Sequence, residues 1–180
     1  MRIHLLIAAL VIALGIAGCG SGSLTVAQPV SPTAPVKTAS DACETLWAGQ
    51  TIDAGDLLVS NDDFFLYVTY ATSGGWELQL THLAVADDLS GIPQTKKGNP
   101  IPGRFAYAAE HDPTVTTYTY VIPLSDLGIL ADDVLVIAAH AEVINGDWEE
   151  TAWAGELEFP GRNWATYIEY TLEWGGWVPM

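Results

Sequence analysis

From residue 57 onward the side chains change character with a period of two. In WATYIEYTLEW, residues 164–174, Trp164, Thr166, Ile168, Tyr170, Leu172 and Trp174 share one parity. Ala165, Tyr167, Glu169, Thr171 and Glu173 share the other. A strand sends successive side chains to opposite faces, so this segment has a dry face and a wet face only as a strand. The pattern recurs where Trp76, Leu78 and Leu80 oppose Glu77, Gln79 and Thr81, and where Thr151, Trp153, Leu157 and Phe159 oppose Glu150, Glu156 and Glu158. Val, Thr, Tyr, Trp and Ile dominate these runs, as they do on pleated, half-buried surfaces.

The spacing predicts about eight strands, at 57–60, 64–72, 76–86, 104–109, 114–122, 134–143, 149–159 and 164–174. Between them stand Asn61-Asp62-Asp63, Ser73-Gly74-Gly75, His111-Asp112-Pro113, Asn145-Gly146-Asp147 and Pro160-Gly161, all turn-forming residue types. The segment Pro123–Gly128 predicts one helical turn capped by Ser125 or Asp126. Short strands at regular spacing predict an all-β domain, a single antiparallel β-sandwich of jelly-roll type, with a closed β-barrel as the alternative. The same parity puts Trp76, Trp153, Trp164 and Trp174, four of seven tryptophans, on core faces. Trp47, Trp148 and Trp177, with Tyr107 and Tyr167, are left as aromatics able to stack on a sugar ring.

The N-terminus has a different logic. Met1-Arg2 precedes an apolar run from Leu5 to about Ala17 that ends in small residues, the layout of an export signal. The run is shorter than the roughly 20 apolar residues a membrane-crossing helix needs. It closes on Ile16-Ala17-Gly18-Cys19, which resembles the lipobox of bacterial lipoproteins. That resemblance implies cleavage before Cys19, a diacylglyceryl group on its sulfur and acylation of the new amino terminus. Two or three acyl chains anchor a protein stably where one does not. Gly20, in place of Asp, resembles the class sorted to the outer membrane. Residues 1–18 are thus read as a lipoprotein signal peptide and 19–42 as a Gly/Ser/Pro/Thr-rich tether, extended by its prolines. Residues 43–174 form the domain and 175–180 a C-terminal tail. The expected location is the bacterial envelope, at the outer membrane or cell surface, with the lipid as membrane partner.

Six Lys and Arg stand against 22 Asp and Glu, a net charge of -16. Such a field repels phosphate backbones and excludes nucleic acid as a partner. Cys43 is the second of two cysteines; with Cys19 lipidated it is expected to be a buried small hydrophobe or half of an intermolecular bridge.

Three sets of residues carry candidate chemistry. If successive strands reverse, the connections 61–63, 87–103, 123–133 and 160–163 share one end. That end gathers Asp62, Asp63, Asp87, Asp88, Asp132 and Asp133, hard oxygen donors of the kind calcium takes. Lys96, Lys97, Arg104 and Arg162 fall there too, so turn chemistry and ion pairs explain the same cluster without a metal. The connection DDLSGIPQTKKGNPIPG, 87–103, is long enough to serve as a ligand-contacting loop. The second set is His82, His111 and His140, three imidazoles that zinc would accept, with Glu142 or Glu150 as general base. Parity opposes it: His82 falls on the core side with Trp76 and Leu80, and His140 falls opposite Leu135, Ile137, Ala139, Ala141 and Val143. Structural, hydrogen-bonded histidines are the better default. The third, nucleophilic catalysis, lacks a G-x-S-x-G elbow, and Ser73, Ser90 and Ser125 sit in turn contexts.

THL at 81–83, GNPIPGRF at 98–105, AAHAEV at 138–143, ETAWAGELEFPG at 150–161 and NWATYIEY at 163–170 together resemble a module of secreted and cell-surface bacterial proteins. The resemblance implies an exported β-rich domain and transfers no catalytic residue. It directs attention to His82, His140, Thr151, Trp153 and Asn163, beside Glu150, as a site or a buried polar network. The expected function is a lipid-anchored, non-catalytic envelope domain that binds a glycan or protein through loops at one end. A metal-dependent hydrolase using His82, His140 and His111, and an envelope spacer with no ligand, are the alternatives.

Overall fold

The computed structural model describes residues 42–128 and 133–173. The strands are β1 (Ala42–Ala48), β2 (Ile52–Asn61), β3 (Phe65–Thr72), β4 (Glu77–Ala86), β5 (Tyr107–Val115), β6 (Thr117–Pro123), β7 (Val134–Asn145), β8 (Trp148–Ala154), β9 (Leu157–Glu158) and β10 (Thr166–Thr171). One helical turn, α1 (Leu124–Leu127), follows β6. The main path of the sheet runs β5-β4-β7-β8-β1-β2-β3-β6, with β10 on β7 and β9 on β10, and every pairing is antiparallel.

The all-β expectation holds, in the form of its barrel alternative: a single sheet nearly closed on itself. Its two ends, β5 and β6, are consecutive in the chain, and side chains bridge them where backbone pairing stops. Tyr107 and Tyr120 approach to 6.0 Å between ring centroids, and His111 and Tyr118 to 4.7 Å. The Tyr120 hydroxyl donates to the Thr81 carbonyl at 3.1 Å and lies 2.8 Å from the Thr81 hydroxyl.

Several boundaries depart from the periodicity reading. Residues 42–56 form β1 and half of β2, a stretch whose Gly, Gln and Asp residues hide its alternation. His111-Asp112-Pro113, expected to be a turn, lies within β5, and the chain reverses at Thr116 instead. Proline is tolerated there because β5 is an edge strand. Neither Ser125 nor Asp126 caps α1; Pro123 occupies that position without a side-chain bond, and Gly128 ends the turn in the left-handed region. Cys43 is half-buried and disulfide-bonded, which corrects the buried-thiol reading. Cys19 lies outside the described residues, as do Asp132, Trp174 and Trp177.

The barrel interior is filled by Leu46, Leu57, Val59, Leu66, Val68, Tyr70, Leu78, Leu83, Leu135, Ile137, Val143 and Leu172, with Ala139, Ala141, Ala152 and Ala154 where strands approach closely. A second, smaller core lies outside the barrel wall. It joins Ala84, Val136, Ala138 and Trp153 on the sheet's outer face to Ile92, Phe105, Phe159 and Ala165 from the covering loops. The small alanines let the loop of residues 87–106 lie flat on β4 and β7.

That loop is therefore a structural cover and not an end loop free for a ligand. Ile92 is 1% exposed and Phe105 7%. Asp88 accepts from the backbone of Ser90 and Gly91, Gln94 bridges to Pro100, and Asn99 Oδ1 accepts from Arg162 N at 2.8 Å. The 160–163 connection consequently sits over the outer face with residues 98–99. Trp153 belongs to this outer core, so its burial was foreseen but its side of the sheet was not.

Two irregularities set the outer face. The register of β4 shifts between Leu78 and Leu80 against both neighbours, so Thr81 and Leu83 turn inward and His82 turns out. This overturns the placement of His82 on the barrel-core side. On β7, the edge opposite β4 is shared: β8 pairs along Ala139–Asn145 and β10 along Val134–Ile137. The exchange occurs at Gly155, with φ 112, where an added Cβ would lie 2.4 Å from the Tyr167 carbonyl oxygen.

Candidate functional site on the outer face

The bulge in β4 brings His82 opposite His140 in the β4–β7 register, and His140 in turn opposite Trp153 on β8. The two imidazoles meet Nδ1 to Nδ1 at 3.3 Å, with ring centroids 5.5 Å apart. One Nδ1 carries the proton and the other accepts it, because two acceptors or two donors would repel. The Trp153 ring lies 4.9 Å from that of His140, and Trp47 continues the row as the β1 partner of Trp153. His140 is buried and His82 half-buried. The pair thus sits where the outer core ends and solvent begins.

Burial pushes His140 down to about 4, and His82 adds to that shift. Burial also lowers His82, against the opposing pull of the Glu142 carboxylate. Removing an imidazolium from water is costly, and two side by side would repel as well. Both rings are neutral at pH 7.

Below the pair, the next row across the outer face is Glu110, Leu80, Glu142 and Thr151. The covering loops do not reach it. An open groove of about 400 Å³ is lined by Gln79, Leu80, Glu110, His111, Asp112, Glu142 and Glu149. A second, of about 300 Å³, shares Gln79, Glu142 and Glu149 and adds Glu150 and Thr151. Its walls are carboxylates and amide or hydroxyl groups, with one apolar side chain, Leu80, on the floor.

The other expected site residues fall elsewhere. His111 follows the parity of Tyr107 and Ala109, toward the barrel interior, and its Nε2 lies 3.2 Å from the Thr81 hydroxyl. Thr81 and His82 are neighbours in sequence and point through opposite faces of β4, so the three imidazoles do not converge. Glu150 shares the face of Ala152 and accepts from Trp148 Nε1 at 3.0 Å. Asn163 is exposed in a covering loop, its backbone N–H 3.4 Å from Asn99 Oδ1. Trp47 and Trp148 are 40% and 52% exposed but point to opposite faces of the sheet, which gives no continuous stacking platform. Tyr107 and Tyr167 are half-buried.

Two aspartates of the presumed calcium end, Asp62 and Asp88, serve their own turns. Asp62 accepts from Phe64 N at 2.8 Å, Phe65 N at 2.7 Å and the Tyr67 hydroxyl at 2.7 Å, and these bonds hold its carboxyl below the usual range. Asp88 is lowered likewise by the Ser90 hydroxyl and backbone and by Gly91 N. Among the described residues no three His, Cys, Asp or Glu side chains are grouped to hold a metal ion.

One polar network escaped the sequence reading. Thr81 is fully buried among Tyr120, His111 and the Ala109 carbonyl, and the Tyr70 hydroxyl donates to the His82 carbonyl at 2.9 Å. These groups close the β5–β6 seam. The signal was present as Tyr70 and Tyr120 on inward parity, large rings whose hydroxyls need partners when buried. No protein family, curated protein or solved structure was found to match the chain.

Proposed function

We propose that this protein is a lipid-anchored, non-catalytic domain of the bacterial envelope that binds a positively charged ligand or partner segment in the outer-face groove. The lipobox-like Ile16-Ala17-Gly18-Cys19 and the Pro/Ser/Thr-rich tether support the anchor. The groove over Leu80, Glu142 and Thr151, left open beside a face that is otherwise covered, carries the binding reading. Glu110, Asp112, Glu142 and Glu149 line it, and a wall of carboxylates selects cationic groups and rejects anions.

The lipid on Cys19 and a disulfide between the chain's two cysteines are rival uses of one sulfur. The anchor reading therefore requires that Cys43 not take Cys19 as its partner in the mature protein.

A fluorescent oligolysine peptide tests the groove. Glu142→Gln with Glu149→Gln should weaken its binding about tenfold or more at physiological salt. Asp126→Asn with Glu169→Gln removes the same charge from exposed positions elsewhere and should leave binding within about twofold. Equal losses in the two double variants would show attraction to net charge alone and end the groove proposal.

A further inference from the structure

We infer that His82 and His140 form a binding site for a divalent transition-metal ion of the zinc class, held through both Nδ1 atoms. Two nitrogens each bound to a tetrahedral zinc at 2.0–2.1 Å stand about 3.3–3.4 Å apart. The two Nδ1 atoms are already 3.3 Å apart. They belong to register partners on adjacent strands, so the sheet itself fixes the spacing, and Trp153 packs against the His140 ring. A cation would take the place of the proton that the pair shares. The Nδ1–H of the donor ring moves to its own Nε2, so two neutral imidazoles become two ligands without net proton loss.

The remaining coordination positions open toward solvent, because His82 is half-buried at the edge of the covering loops. Glu142 stands two residues from His140 on β7, on the same face, near enough for its charge to bear on His82. Its charge offsets part of a bound cation's, and water completes the set. Imidazole suits zinc, and copper or nickel after it, while calcium and magnesium prefer all-oxygen sites. The inference is independent of the cationic-ligand reading, since it depends on the histidine pair and not on the groove.

The test uses untagged mature protein, stripped with chelator and titrated with zinc in excess magnesium, which occupies the acidic surface. One zinc per chain and a raised Tm are expected. His82→Ala should weaken zinc binding by more than the roughly 10–100-fold that loss of an outer-sphere partner costs, and should abolish the Tm rise. His111→Ala, on the other face of β4, should retain both. His82 is half-buried and its truncation leaves the sheet intact, so the test does not depend on His140 variants folding. Zinc binding unchanged in His82→Ala, lost in His111→Ala, or absent in the wild type would overturn the site.

Discussion

At the scale of single residues the histidine pair sets the clearest expectation. His140 faces His82 from β4, Glu142 lies two residues along its own strand, and Trp153 covers it from β8. Its folded pKa of about 4 lies below the 6.5 of an unfolded histidine. The unfolded chain therefore takes up a proton that the folded chain refuses. Stability from this group is complete above pH 6.5 and is lost as pH falls toward 4, by about 3 kcal/mol in all. In metal-free protein, the Tm of the wild type should drop more steeply between pH 6.5 and 5 than that of His140→Gln. Parallel slopes would show that His140 is not held neutral. The alternation on β7 alone was enough to place His140 opposite the barrel core. It could not place His82, because the extra residue near Gln79 reverses parity and leaves no mark in residue type. The meeting of the two histidines was illegible for that one reason.

At the scale of elements, the strands that alternate cleanly were legible: β3, β4, β7 and β10 lie where periodicity put them, to within a few residues. Residues 42–56 were not, because Gln50 in the turn and Asp53 and Gly55 at the start of β2 interrupt their apolar positions. The covering loop was misread for a related reason. Its length and prolines suggested a ligand loop, whereas Ile92 and Phe105, two apolar residues spaced without period, pin it to an outer face of Ala84, Val136, Ala138 and Trp153. The exchange of β8 for β10 beside β7 depends on Gly155, whose φ is 112 and whose missing Cβ leaves room for the Tyr167 carbonyl. Gly155→Ala should cost about 3 kcal/mol in urea unfolding, from a backbone clash added to unfavourable φ. Gly74→Ala, with φ 63 and nothing within 4 Å of its added Cβ, should cost about 1 kcal/mol. Equal losses would mean that the β8–β10 crossing tolerates a side chain.

At the scale of the whole molecule, an acidic barrel closed by side chains presents a broad surface with both depth and chemistry, the outer face of β4, β7 and β8. Two edge strands, β5 and β6, are blunted against pairing with other chains by the tyrosine and histidine contacts between them and by Pro113. The described chain enters β1 at Ala42, beside Val59 of β2, at the end that carries the Asn61–Phe65 turn. An acylated Cys19 would hold the domain by that end, with the histidine pair and groove on the side wall. The lipid placement decides whether this surface faces the envelope at all. Peptide-level mass spectrometry of the protein taken from its native membranes tests it most directly. The mature chain is expected to begin at Cys19, with a diacylglyceryl thioether and an acylated amino terminus. An intact leader, with Cys19 unacylated and joined to Cys43, would contradict it.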